Sequence, residues 1–384
     1  MSLEIGTTNC DMALQTSLAT SGLSKAKTKI TVFANTVSTH SIDRYVRELV
    51  RNFPQTVEAK AIYFHPSSGG IRQQIDRYWG YIQLARREHG DYNIIAAEGC
   101  AYLLMGLPAD RTICVCHDMH ALSYSGPKDL HHHLYDLRYR WNLRFLPKAK
   151  FVVTVSQNTR TELLRFCPFI PGERVIPVHN GLEDRWKRIT SPKLLDRYRV
   201  QHKLKGKRTV LHVGSDVFYK NKAGVIRAFA QLNRPDLLLV LVGDLTQETE
   251  GLIDALGIRA SVRQLNNLND EDLVTLYNVA DMLVFPSISE GFGWPPLEAM
   301  ACGCPVIASD CPSLLEVCGQ ACLSVRATDT GEIANGIEKV LADKSIRDEL
   351  TAKGYQQAAK FSWRSTAARF LELLQLQQSG PGRD

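Results

Sequence analysis

The stretch from Ala280 to Pro312 constrains the fold more than any other part of the chain, because it has the pattern of a strand, a loop, a helix and a second strand in succession. Leu283 to Phe285 are consecutive apolar residues, as expected of a strand buried on both faces of a parallel sheet. The loop from Glu290 to Gly293 contains glycines that let a backbone approach a ligand closely. Pro295 then suits the first turn of a helix, and Gly303 suits its end. Such a unit predicts an α/β fold with a ligand site at the loop.

Two glutamates stand on either side of the start of this predicted helix. Glu290 precedes the helix, and Glu298 lies inside it eight positions later. The first N–H groups of a helix are unpaired and the helix dipole is positive there, so this place suits the oxygens of a phosphate. From the spacing alone, two solvated surface charges are an equally good interpretation.

The run E-G-F-G-W-P-P-L-E, followed by A-M-A-C-G-C-P-V-I-A-S, resembles the E-x7-E signature of the retaining glycosyltransferases of family 4. The resemblance implies that Glu290 meets hydroxyls of a donor sugar and that Glu298 holds the ribose of its nucleotide. It also implies donor contacts from the loop and helix start between them, at Gly291, Phe292, Gly293 and Leu297.

Strands alternate with helices through both halves of the 384-residue chain, and this length is ample for two cores. With the resemblance, the pattern predicts the α/β GT-B fold, in which two doubly wound, Rossmann-like domains face each other across a cleft. We expect a hinge at Asn180-Gly181. We also expect the second sheet to be closed by the segment after Pro312, from Leu314 to Val317 and on to Asp329. The predicted divisions are a loosely ordered segment 1–27, an acceptor-side domain 28–190, a nucleotide-sugar domain 191–363, a helix 364–376 crossing back to the first domain and a disordered tail 377–384.

Candidate residues in the first half follow predicted strands. His117 and Asp118 end the apolar strand from Thr112 to Cys116, and ligands gather at that end of a parallel sheet. The family resemblance implies that His117 approaches the donor sugar or its leaving phosphate. Asp118 would orient the imidazole or bind an acceptor hydroxyl, and His40 in the first loop is a weaker acceptor-side candidate. A histidine that caps a turn and an exposed loop histidine are the alternative interpretations.

Candidate residues in the second half lie after its first predicted strand. Lys220 keeps the lysine that the family places six residues after a glycine to neutralise the donor diphosphate. Ser215 stands where the family often has an arginine, so its hydroxyl, backbone N–H groups or Lys222 would have to replace that cation. Asn266, at the end of a later strand, is expected to contact the base. A surface lysine is the alternative for Lys220.

The charge is unevenly distributed. The net charge is +6, but residues 1–190 contain 24 Lys and Arg against 17 Asp and Glu, so the excess lies in the first half. This predicts an anionic partner: a phosphate-bearing acceptor, an anionic membrane or a nucleic acid, of which the last has no supporting motif. The predicted helix from Ile71 to Glu88 mixes arginines with aromatics, which suits either peripheral contact with a membrane or one packed and one solvated face.

Several classes of protein are disfavoured. No apolar run reaches the roughly 18 residues that span a bilayer, and the N-terminus does not read as a signal peptide. The ten cysteines contain no C-x2-C pair with a histidine nearby, so we expect thiols, a reducing cytoplasm and no metal. The triplet His131 to His133 is interpreted as surface, because adjacent residues on a helix point in different directions.

The sequence therefore predicts a metal-independent, retaining glycosyltransferase without a cofactor. It would move a hexose, such as mannose or glucose, from a nucleotide-diphosphate sugar to a hydroxyl of a glycan or a lipid-linked saccharide, in the cytoplasm or at the inner face of a membrane. The alternatives are another GT-B enzyme, such as an epimerase or a phosphorylase, and a nucleotide-sugar-binding scaffold subunit that has lost activity.

Overall fold

The computed structural model describes residues 27–35, 40–65, 70–123 and 130–375. Its first six strands form one parallel sheet in the order β2-β1-β3-β4-β5-β6. The strands are β1 Thr28–Asn35, β2 Val57–Phe64, β3 Tyr92–Ile95, β4 Thr112–Cys116, β5 Phe151–Thr154 and β6 Val175–Pro177. Predicted segments 377–384 and nearly all of 1–27 lie outside the described residues.

The other six strands form a second parallel sheet in the order β12-β11-β10-β7-β8-β9. The strands are β7 Arg208–Val213, β8 Leu237–Val242, β9 Val262–Leu265, β10 Met282–Phe285, β11 Val306–Ser309 and β12 Leu323–Val325. In the interior of the two sheets, β4 and β10 are buried along their whole length, as expected when helices cover both faces of a sheet. The predicted two-sheet α/β fold is confirmed.

Fifteen α-helices connect and cover the strands of the described chain. They are α1 His40–Arg51, α2 Gly70–Ile75, α3 Tyr81–Glu88, α4 His120–Ser123, α5 Leu130–Leu143, α6 Gln157–Phe166, α7 Pro192–Gln201, α8 Lys222–Leu232, α9 Gln247–Ala255, α10 Asp270–Val279, α11 Trp294–Ala301, α12 Pro312–Cys318, α13 Thr330–Ala342, α14 Lys344–Ala358 and α15 Trp363–Gln375. None of these described helices has the length and apolar character needed to cross a bilayer.

Two expected segments have a different local structure. Leu314 to Val317 form part of helix α12 rather than a strand, because Pro312 begins a helix and β12 follows only at Leu323. The predicted helix from Ile71 to Glu88 is interrupted by a π-helical turn, Asp76–Gly80, between α2 and α3. Single π turns of this kind are frequent at functional sites.

The strand orders define where each sheet can bind a ligand. In the second sheet, the chain leaves β7 toward β8 on one side and returns to β10 on the other, so the order reverses between β7 and β10. In the first sheet, the order reverses between β1 and β3. Ligands of open parallel sheets bind at the carboxyl ends of the strands at such reversal points.

The chain passes between the two sheets twice, and the two crossings touch. Leu182 forms an isolated parallel bridge with Ser362. A Cβ on Gly181 would lie 2.2 Å from the backbone nitrogen of Trp363, so only glycine permits this approach. The last helix, α15, then lies against α1, and Lys150, directly before β5, donates from Nζ to the carbonyl of Leu374 at 3.1 Å. The predicted hinge segment is therefore packed against the start of α15.

Candidate active site

Lys220 and Glu290 meet at the reversal point of the second sheet. They follow β7 and β10, and Lys220 Nζ lies 2.6 Å from Glu290 Oε1. The ammonium also lies 5.2 Å from the ring centroid of Phe285, and the backbone carbonyl of Glu290 accepts a hydrogen bond from Ser313 Oγ at 2.7 Å. Glu290 is only 6% exposed. The geometry thus places a fixed cation and a fixed carboxylate side by side, so an incoming diphosphate and sugar hydroxyls would each find one partner.

Gly291 brings this loop against the first domain. A Cβ on Gly291 would lie 2.0 Å from the carbonyl oxygen of His117, a separation that no other residue allows. The carbonyl of Gly291 accepts hydrogen bonds from Ser156 Oγ at 2.7 Å and from Thr159 Oγ1 at 3.2 Å. Two further contacts close the same cleft: Ser289 Oγ lies 3.0 Å from His120 Nδ1, and the His120 ring stacks on Tyr219 at 4.4 Å. The described cleft is therefore closed around the Lys220–Glu290 pair.

His117 occupies the expected position at the end of β4. Its Nε2 donates to the carbonyl of Ala96 at 2.7 Å, and Tyr45 packs edge-to-face on the ring at 4.9 Å. Burial lowers the pKa of the imidazole. The ring is therefore neutral near pH 7 and leaves Nδ1 as its acceptor atom.

Glu98, at the end of β3, is a site residue to which sequence reasoning gave no role. Its carboxylate accepts hydrogen bonds from the hydroxyl of Tyr139 at 3.0 Å and from the backbone N–H of His117 at 3.2 Å. Burial, helped by the charge of Asp118, raises the pKa of Glu98 to about 7. The position of an acidic residue directly after a buried strand, next to β4 in the sheet, was the available signal.

Glu298, which the family resemblance assigns to the ribose, is buried on α11 and only 3% exposed. Its Oε1 accepts from Arg44 Nη1, and its Oε2 accepts from the hydroxyl of Tyr277 at 3.0 Å. The same guanidinium donates from Nε to Glu183 at 2.7 Å and lies 4.5 Å from the ring centroid of Trp294. Burial raises the pKa of Glu298, while Arg44 acts in the opposite direction. Arg44 on α1 therefore ties the first domain to the helix that carries Glu298.

Three residues that the sequence suggests as contacts of the donor have buried side chains that do not face the cleft. Phe292 is buried and packs edge-to-face on Phe361 at 5.7 Å. Leu297 is fully buried in the core, so its side chain does not reach a ligand in the cleft. Lys222 is also buried, and its Nζ donates to the carbonyl of Asp244 at 2.9 Å, so it does not replace the missing arginine.

The remaining candidates lie at the edges of the site. Ser215 and Asn266 are exposed at the ends of β7 and β9. Gly293 has a φ of 91° and begins α11, where the left-handed backbone favours glycine. Asp118 Oδ1 accepts from the backbone N–H of His120 at 3.0 Å, which is a helix-capping contact rather than a contact with the His117 ring. The side chain of His40 lies outside the described residues.

A cavity of about 960 Å³ at the hinge is a separate feature. It lies between α1, α10 and α15, and neither Lys220 nor His117 lines it. Some of its charged groups neutralise one another: Arg185 pairs with Asp270 and lies 3.5 Å from Glu48. We therefore place the candidate active site at the Lys220–Glu290 pair. Among the described residues, no three His, Cys, Asp or Glu side chains are grouped as metal ligands.

Two family models match successive parts of the chain and together cover most of it. The model of glycosyltransferase family 4 matches residues 19–186, and that of glycosyl transferases group 1 matches residues 196–357. The chain belongs to the family 4 glycosyltransferases, with the GT-B fold, and the family resemblance carried by the E-x7-E segment is confirmed.

Similar curated proteins include mannosyltransferases of Escherichia coli. The serotype-specific mannosyltransferase WbdA is 30% identical over 284 residues, which is 68% of this chain and 34% of WbdA. The O-antigen chain mannosyltransferase B is 32% identical over 237 residues, which is 60% of this chain and 62% of that protein. The match thus spans about a third of the first relative and less than two thirds of the second.

Solved structures share the fold across nearly the whole chain. Anabaena HepE in complex with UDP-glucose has a TM-score of 0.76 at 18% identity, over 91% of this chain and 100% of that one. WaaG, a glycosyltransferase involved in lipopolysaccharide biosynthesis, has a TM-score of 0.70 at 18% identity, over 92% of this chain and 100% of that one.

Proposed function

We propose that this protein is a retaining glycosyltransferase that moves a hexose, such as mannose or glucose, from a nucleotide-diphosphate donor to a hydroxyl of a glycan or a lipid-linked saccharide. The observation that carries the proposal is the Lys220–Glu290 pair at the reversal point of the second sheet, closed against His117 of the first. The names of the mannosyltransferase relatives support mannose as the sugar, and those of O-antigen and lipopolysaccharide enzymes support cell-surface glycan synthesis.

Each part of the site would stabilise one part of the reaction. The bond between the anomeric carbon and the diphosphate oxygen breaks, and negative charge grows on the leaving diphosphate. Lys220 and the backbone N–H groups at the start of α11 would hold that charge. Glu290 would accept hydrogen bonds from sugar hydroxyls and place negative charge near the cationic ring. Because these groups supply the electrostatic stabilisation, the proposed reaction requires no metal.

The acceptor oxygen would attack the same face from which the diphosphate leaves. Its proton would pass to a departing phosphate oxygen, so the configuration at the anomeric carbon is retained. His117, held neutral by burial and fixed by Ala96, would accept a hydrogen bond at Nδ1 from the donor sugar. Closure of the loop around Gly291 would exclude water that would otherwise hydrolyse the donor.

A panel of UDP-, GDP-, ADP- and dTDP-sugars tests the proposal, first by thermal shift and then by turnover. Glu290→Gln should abolish transfer while nucleotide binding persists, and Glu349→Gln, an exposed residue on α14, is the matched control. Loss of nucleotide binding in Glu290→Gln would show that its role is misassigned. Tight binding of a nucleotide sugar without turnover in the wild type would instead favour a scaffold subunit.

We also propose peripheral contact with an anionic membrane, at its inner face, through α5 and the adjacent π turn. Trp79 and Leu137 are 62% and 68% exposed, and two exposed arginines lie nearby, Arg140 on α5 and Arg144 directly after it. Apolar residues with neighbouring arginines suit an anionic bilayer surface. Co-sedimentation with phosphatidylglycerol vesicles should weaken with salt and in Leu137→Ser, and absence of binding at low salt would contradict this part of the proposal.

A further inference from the structure

A cavity of about 240 Å³ opens at the carboxyl edge of the first sheet, at the point where the strand order reverses between β1 and β3. We call it the first-sheet cavity. It adjoins the candidate active site, because Glu98 lines it and accepts the backbone N–H of His117. The side chains that the following steps use are those of Arg77, Tyr78, Glu98, Tyr135, Arg138 and Asn142.

Two arginines of this cavity form no ion pair with a carboxylate of the described residues. Arg77 lies on the π turn, and its Nε is buried without a hydrogen-bond partner among the described residues. Arg138 packs its guanidinium over the ring of Tyr135 at 5.3 Å, and no carboxylate of the described chain forms an ion pair with it. By contrast, Arg234 and Arg259 each pair with at least one carboxylate. Two unneutralised guanidinium groups that border one cavity are the arrangement that an anionic ligand completes.

Asn142 holds part of the cavity wall in place. It is 6% exposed, and its side chain forms a hydrogen bond with the side chain of Tyr78. This contact fixes the position of a tyrosine that lines the cavity.

Aromatic side chains supply the rest of the wall. Tyr78 packs against Tyr102 at 4.8 Å, and Tyr135 stacks on Tyr139 at 6.2 Å. A tyrosine presents an apolar face and a polar tip, which matches a sugar ring with its apolar CH surfaces and its rim of hydroxyls. The cavity therefore combines an anion-binding side with a saccharide-binding side.

We propose that the first-sheet cavity is an acceptor subsite that takes a phosphorylated saccharide, with the phosphate on Arg77 and Arg138 and the sugar against the tyrosines. The proposal rests on the proposed glycosyltransferase function and names the chemical class of its acceptor. A phosphate fits better than a carboxylate because its oxygens can take donors from both guanidinium groups at once. The position beside the predicted membrane-facing residues of α5 suits an acceptor that is attached to a lipid through phosphate.

Binding measurements that need no turnover test the subsite. Mannose 6-phosphate should bind the wild type more tightly than methyl mannoside or inorganic phosphate, by calorimetry at fixed ionic strength. Arg138→Gln should weaken binding of mannose 6-phosphate about ten- to a hundredfold, as expected for the loss of charge-assisted hydrogen bonds. Arg111→Gln, an exposed residue of the same sheet domain that does not line the cavity, should bind as the wild type does.

The outcomes separate this proposal from the proposed function. Binding that is lost in Lys220→Met but kept in Arg138→Gln would place the probe at the donor site and overturn the subsite. Equal affinity for inorganic phosphate and mannose 6-phosphate would overturn its saccharide part. Arg138-dependent binding in a protein that turns over no nucleotide sugar would support the subsite and contradict the proposed function. An unchanged melting temperature of Arg138→Gln excludes misfolding as the cause of a loss.

Discussion

Removal of the Arg44 guanidinium should destabilise the protein strongly. Arg44 is held between two carboxylates, and the side chains of Glu183 and Glu298 are only 7% and 4% exposed. Arg44→Met would keep part of the packing on Trp294 but leave both carboxylates without their cation. Loss of one partner of a buried ion pair costs about 3–5 kcal/mol. For domains of this size, about 2–4 °C of melting temperature corresponds to each kcal/mol, so a fall of about 6–20 °C follows.

Differential scanning fluorimetry against matched variants measures this effect. Arg51→Met is the control, because Arg51 lies at the end of the same helix, is exposed and forms no ion pair with another described residue, so its change should stay within about 0.5 kcal/mol. Adding Glu298→Gln to Arg44→Met should recover part of the loss, since one unpaired charge is then removed. A melting temperature of Arg44→Met within about 2 °C of the wild type would show that Arg44 does not stabilise the fold by neutralising Glu183 and Glu298.

Three further predictions concern the cleft. Gly291→Ala should abolish transfer, because its Cβ would lie 2.0 Å from the carbonyl of His117 and force the cleft open, whereas Gly251→Ala, with nothing within 4 Å of the added Cβ, is the control. The pKa of Glu98 is raised to about 7 in the folded state, so the folded state binds a proton that the unfolded state releases at lower pH. The free energy of unfolding should therefore fall as the pH rises from about 4.5 to 7 and then level off. Urea unfolding should show a flatter dependence on pH in Glu98→Gln, and an unchanged dependence would contradict the raised pKa of Glu98. Turnover should persist in EDTA, and recovery only after added Mg²⁺ or Mn²⁺ would contradict a metal-independent site.

The sequence allowed much of the fold to be predicted because its signals are local. The alternation of buried strands and helices predicts parallel sheets, and Pro295 predicts the helix start that the structure shows at Trp294. The pairing of Lys220 with Glu290 follows from two strand ends that belong to one sheet. These features depend on short-range patterns and on a contiguous motif.

Other parts of the site depend on contacts that no local pattern reveals. Arg44 meets Glu298 across 254 positions and Glu183 across 139. The role of Glu98 depends on the pairing of β3 with β4 and on the hydrogen bond from Tyr139 of α5. The sequences of β3 and β4 do not reveal that these two strands are neighbours in the sheet. The π turn that carries Arg77 likewise has an ordinary helical sequence pattern. The residues that close and line the site thus required the three-dimensional arrangement.

Sugar transfer at the Lys220–Glu290 pair can be tested with a single assay. The wild type and Glu290→Gln would be incubated with the nucleotide sugar that gives the largest thermal shift, and the anomeric configuration of the product would be read by NMR. The wild type should give a product with retained configuration, and Glu290→Gln should give no product although it still binds the nucleotide. An inverted product, or full turnover by Glu290→Gln, would contradict it.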